Sequence, residues 1–132
     1  MEAIDEPQYQ ALLQLRSLVH AKHSFASTLS KLDPLVMEGR AIMFNRQTPL
    51  HPDRLDPFTS WAIMIALGDF QNGGDLYVPR LKLRIRFLPG DMIAIRGRIL
   101  PHEVEAWSGG QRVSIAHFTH QSLWDSFGMT CP

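Results

Sequence analysis

The chain has 132 residues, 45% hydrophobic and 20% charged, a composition that folds around one core and excludes intrinsic disorder. Thirteen Lys and Arg balance thirteen Asp and Glu, which excludes a globally basic nucleic-acid binder but not a local basic patch. The single cysteine, Cys131, excludes an internal disulfide framework, and the longest nearly apolar run, Trp61 to Leu67, is too short to span a bilayer. Glu2, Asp5 and Glu6 stand where a secretory leader would carry positive charge. The expectation is a soluble intracellular protein.

Pro7 to about His23 reads as a helix, with Leu12, Leu15, Leu18 and Val19 as its apolar stripe. Phe25, Leu29 and Leu32 predict a second, core-facing helix that stops before Pro34. From Ala41 the texture changes to short β-like runs. Ala41–Asn45 is one, and Trp61–Leu67 suits a strand buried on both faces. Asn72-Gly73-Gly74 predicts a turn, Leu76–Val78 a short strand, and Lys82–Phe87 a half-buried strand with Lys82, Arg84 and Arg86 on one face. Pro89-Gly90-Asp91 turns the chain into Met92–Ile95; Ile99–Val104, a Ser108-Gly109-Gly110 turn and Val113–Phe118 follow. Many short strands with regular turns predict a sandwich or barrel: a helical layer over residues 1–36 and a β core over 37–132.

The residues with chemistry to offer are His51, Asp53 and His102. Two imidazoles and a carboxylate on one face of an ion leave three coordination positions open, the ligand pattern of non-haem Fe(II). In extended chain, residues two apart point the same way, so His51 and Asp53 converge, and His102 must arrive from a segment distant in sequence. Arg112 stands in an apolar strand, where its guanidinium needs an anion. That anion is either a ligand carboxylate, gripped with help from Ser114 two residues on, or an internal acid such as Asp91 or Glu103. Asn45 either bonds a cosubstrate or serves the fold. Arg80, Lys82, Arg84, Arg86, Arg96 and Arg98 lie within nineteen residues that hold one acid, a local net of +5. They form either a solvated face or a phosphate-contacting strip, and Arg98 lies near His102 in sequence.

His51-Pro52-Asp53, Gly73-Gly74-Asp75-Leu76, Pro89-Gly90-Asp91, His102 and Arg112 through His120 together resemble the 2-oxoglutarate- and Fe(II)-dependent dioxygenases, most closely their TET/JBP-like, fungal-type branch. The resemblance runs from about Phe25 to Leu123. It implies a mainly β, double-stranded β-helix (jelly-roll, cupin-like) fold with an N-terminal helical layer. It implies that His51, Asp53 and His102 hold Fe(II), and that Arg112 and Ser114 hold the distal carboxylate of 2-oxoglutarate, with O2 as the second cosubstrate. His120, eight residues after Arg112, takes the position that contacts an extruded base in family members acting on 5-methylcytosine. Asp56 departs from the pattern, because animal members carry an Asn there; an ionised Asp only accepts hydrogen bonds, whereas an Asn also donates. The implied activity is hydroxylation of a methyl group on methylated nucleic acid, DNA before RNA, in the nucleus. The alternatives are an oxygenase acting on RNA or protein, a metalloenzyme of cupin type, and a non-catalytic jelly-roll that binds a ligand or partner.

Overall fold

The first polar contacts of the chain position its helical layer. The Asp5 carboxylate accepts from the Gln8 amide at 3.0 Å and caps α1 (Glu6–Lys22), with Pro7 in the first turn, where its missing N–H costs nothing. The computed structural model describes residues 1–32 and 35–132. Helix α1 buries Gln8, Leu12, Leu15 and Val19, a stripe at four- and three-residue spacing. Leu18, expected on that stripe, lies one position off it and is exposed. The second expected helix forms as α2 (Ser24–Leu32), but its core-facing reading is corrected: no residue of α2 is buried, and Phe25, Leu29 and Leu32 are exposed. The ground they would need is filled by α1, Met37, Trp124 and Cys131. The expected stop at Pro34 lies outside the described residues.

Among the described residues nine strands follow: β1 (Gly39–Phe44), β2 (Ala62–Gly68), β3 (Asn72–Gly73), β4 (Leu76–Val78), β5 (Leu83–Ile85), β6 (Met92–Ile95), β7 (Glu103–Val104), β8 (Trp107–Ser108) and β9 (Arg112–Phe118), closed by a short helix α3 (Gln121–Ser126). They form an antiparallel four-stranded sheet in the order β1-β9-β2-β6, a facing three-stranded sheet β5-β4-β7, and the pair β3-β8. This is the expected mainly β, jelly-roll arrangement. The core between the sheets takes Ala66 and Ile95 from the first, Leu76, Val78 and Val104 from the second, and Phe70 and Phe87 from the connections.

Four expectations change. The run from Trp61 is central in its sheet but fully buried only at Ala62 and Ala66, which face inward; Leu67 is exposed on the outer side. Register explains this, because Ile63, Ile65 and Leu67 share the outer face with alternate residues of β1, β6 and β9. The row Ile63–His117–Arg40 includes Ile63, which packs against the α1 and α3 cluster. Beyond it lie two rows without a polar residue, Ile42–Ile115–Ile65–Met92 and Phe44–Val113–Leu67. The run from Lys82 is shorter than expected: a 3-10 turn at Pro79–Leu81 ends with Lys82 in the left-handed region (φ 53°), which removes it from the strand face of Arg84. Asn72-Gly73 pairs as β3 with β8, its turn character surviving in the positive φ of Gly73 and Gly74. Ile99–Val104 narrows to β7 plus an isolated bridge between His102 and His51. Helix α3 carries no periodic signal in six residues, yet it seats the fully buried Trp124. Among the described residues no helix is long and apolar enough to cross a membrane.

The helical layer is latched to the sheet by polar contacts. Asp5 also accepts from the Trp61 indole at 3.1 Å and from Arg96 at 3.3 Å, while buried Gln8 bonds Ser60 and the Trp61 amide. Those donors, the Gln8 amide foremost, hold the Asp5 carboxyl below its ordinary value of 3.8. Asp5→Ala is expected to cost about 1–2 kcal/mol in urea denaturation at pH 7. Because the folded value is the lower one, the stabilisation is complete above pH 3.8 and lost as pH falls through the folded value. An Asp5→Ala deficit that persists undiminished at pH 2 would refute the assignment.

Candidate metal centre and its cavity

His51 and His102, fifty-one residues apart, meet through a two-way backbone bridge: each amide donates to the other's carbonyl at 3.0 Å. Their rings lie 4.7 Å apart. Each Nδ1 lies against a carbonyl two residues upstream, that of Pro49 at 2.8 Å and that of Leu100 at 3.0 Å. A carbonyl only accepts, so both Nδ1 atoms carry the proton and both Nε2 lone pairs are left for a ligand. Burial lowers the His102 pKa and so favours the neutral ring that a metal requires. The Asp53 carboxylate stands 3.4 Å from His51 Nε2, and its amide donates to the Gly97 carbonyl at 3.0 Å. One ligand atom from each of the three residues falls within 4.8 Å of the others, a group able to hold a metal ion. Segments that sequence could only postulate as neighbours are hydrogen-bonded to one another.

The three residues line a cavity of about 320 Å³ together with Arg112, Ser114, Asp56 and His120, between apolar walls that include Met43, Met64, Phe87 and Phe118. Arg112 is 1% exposed. Its Nη1 bonds the Ser114 hydroxyl, while Nε and Nη2 are buried without a partner. The internal-acid alternative is not realised: Asp91 accepts from the Leu88 amide, and no carboxylate of a described residue pairs with Arg112. Aromatic rings of Phe70, Phe87 and Trp107 surround the guanidinium at 5.3–5.7 Å. Burial alone lowers its pKa. Two buried donors aimed at no acceptor fit a carboxylate supplied by a ligand.

The remaining candidates divide. Asn45 does not line the cavity; exposed and at φ 48°, it accepts from the Arg112 amide at 2.8 Å through its side-chain oxygen and bonds the Gln111 side chain through its nitrogen. That is a fold role, fixing the start of β9. Asp56 is buried, and its pKa is raised to about 7, by burial first and Asp53 second, against a lowering from Arg98. A carboxyl with that value offers a donor as well as acceptors near neutral pH, which closes much of the difference from Asn. His120 stacks on Phe118 with centroids 4.6 Å apart, and its Nε2 lies 3.8 Å from the Asp56 carboxylate. Arg98 lies outside the cavity, in an adjoining groove with Asp56 and His120, its guanidinium 4.7 Å over the exposed Phe58 ring. The basic strip is not one surface. Arg84 pairs with Glu105 and stacks on Tyr77, and Arg96 pairs with Asp5 and stacks on Trp61.

Sequence reasoning missed Gly97 and the aromatic enclosure of Arg112. A Cβ at Gly97 would overlap the Asp53 carboxylate and approach the His102 ring to 3.1 Å. The available signal was a lone glycine between Arg96 and Arg98 in a strand-like stretch, a mark of close approach. Gly97→Ala is therefore expected to weaken divalent metal binding about 10- to 100-fold by calorimetry, with the melting temperature little changed. Unaltered affinity would remove Asp53 from the ligand set.

No protein-family model matches the chain, and no curated protein matches it in sequence. Among solved structures it is similar to NgTET1, the Naegleria protein, in complex with 5mC DNA, with a TM-score of 0.62 and 22% identity. The match covers 70% of this chain and 37% of that one, so the chain spans little more than a third of the length of that neighbour. At this identity the likeness establishes a TET-like fold.

Proposed function

We propose that the protein is an Fe(II)- and 2-oxoglutarate-dependent dioxygenase of the TET/JBP type, in its fungal-type branch, that hydroxylates a methyl group on a methylated DNA base. The observation that carries this reading is Arg112, charged, enclosed and short of acceptors, in the same cavity as the three-residue ligand group. His51, Asp53 and His102 would hold the metal, and Arg112 with Ser114 the far carboxylate of the cosubstrate. Iron and 2-oxoglutarate together would supply the activation of O2 and the oxidation, with succinate and CO2 as co-products.

The protein's own part is positional. Pro49 and Leu100 fix the imidazole tautomers, Gly97 makes room for the Asp53 carboxylate, and the apolar walls limit water. A base must leave its stack to reach such a cavity. The stacked His120 and the buried Asp56 suit its flat face and its edge, and the Arg98–Phe58 pair in the adjoining groove suits the strand beside it. The neighbour's 5mC DNA supports a nucleic-acid partner, with 5-methylcytosine and N6-methyladenine as the candidate bases. A DNA substrate implies nuclear residence.

Anaerobic addition of Fe(II) and then 2-oxoglutarate is expected to produce a weak visible charge-transfer band that His102→Ala abolishes. Arg112→Ala should raise the 2-oxoglutarate needed for half of that band about 10- to 100-fold, the loss of one charge-assisted contact. Folded wild-type protein without the band would overturn the reading. Phe58→Ala with Arg98→Ala should weaken binding of methylated DNA about 10-fold and flatten its salt dependence. An unchanged salt slope would remove the groove from the interface.

A further inference from the structure

We propose that the outer face of the four-stranded sheet is a self-association surface, and that its occupant is a second copy of this chain, packed through the same face about a two-fold axis. The two outward rows that α1 leaves uncovered contain no polar residue in any of the four strands. Within them Phe44 is 71% exposed, Met92 65%, Ile42 57% and Leu67 39%. With their half-buried neighbours these side chains present roughly 500 Å² of contiguous apolar surface, near the upper limit for a typical monomer. One side of a standard interface buries about 800 Å², and in homodimers about 65% of that is apolar. The patch therefore matches the apolar area that one side of a stable homodimer needs.

Charge and shape favour a second copy as the occupant. The chain has no net charge, so copies meet without long-range repulsion, and no charged residue in either row would face its own image. Two such flat rows of branched and aromatic side chains interdigitate face to face as sheets do in a sandwich. The exposed residues of α2 are a narrower feature, three side chains on a helix of nine residues. The face also has a bearing on the cavity. Val113 points into it from β9, the strand whose alternate residues Arg112 and Ser114 line the cavity.

Sedimentation equilibrium of the intact protein up to about 100 µM, a range that covers weak standard-size interfaces, tests this. The expected result is a rise with concentration toward twice the 15.0 kDa chain mass. Phe44→Glu and, separately, Met92→Glu should hold the protein at single mass with wild-type circular dichroism, while Phe25→Ser with Leu32→Ser in α2 leaves the dimer intact. In the wild type, peroxide oxidation of Met92 should slow several-fold between dilute and concentrated samples, a readout that needs no variant. A constant single mass with Met92 equally reactive at both concentrations overturns the proposal. So does a dimer that the α2 changes abolish.

Discussion

A buried guanidinium without a carboxylate is the constraint around which the β-sandwich is arranged. Left alone, such a charge costs several kcal/mol, even after relaxation. Here the cost is met in part by three aromatic faces and one hydroxyl, while two donors remain unanswered. The surrounding chain is built to the shape of that group. A Cβ at Gly74 would come within 3.3 Å of Arg112 Nε and 3.0 Å of Phe70, at a φ of +74° that side chains rarely adopt. Asn45 grips the Arg112 amide from just beyond the end of β1. The enclosure thus presents two buried donors to the cavity in fixed positions.

Much of this was legible in the sequence, and the reasons are local. His51 and Asp53 are two apart, a spacing that places them together in any extended segment. Arg112 was visible because a charge interrupts an otherwise apolar strand. The strands around Leu76–Val78, Met92–Ile95 and Val113–Phe118 were legible because glycine and proline punctuate them. What stayed hidden depends on three-dimensional register. Nothing near Asn45 announces that its amide serves β9, and nothing near Gly97 names Asp53 as the neighbour it must admit.

The apolar patterns were the least dependable guide. Leu12, Leu15 and Val19 face inward as their spacing implies, whereas Phe25, Leu29 and Leu32, just as regular, face water. Periodicity reports that a face is apolar; it does not report whether the molecule has ground left to cover it. The same holds for the Trp61–Leu67 run, whose two faces differ because α1 and α3 extend over only part of the sheet. Polar contacts decide where that cover lies: Asp5 and Gln8 bind the helix to Ser60, Trp61 and Arg96, and leave the far end of the sheet bare.

The bridge between His51 and His102 ties chemistry to folding order. The two imidazoles come within reach of one another only after segments fifty-one residues apart have paired, so the ligand group does not exist in a partly folded chain. An ion taken up there would act as a rivet through a seam that backbone hydrogen bonds close at Val104–Thr48, His51–His102 and Asp53–Gly97. Affinity for the ion and resistance to unfolding would then be two readings of one free energy. Scarcity of such an ion would then be felt first as faster turnover of the chain.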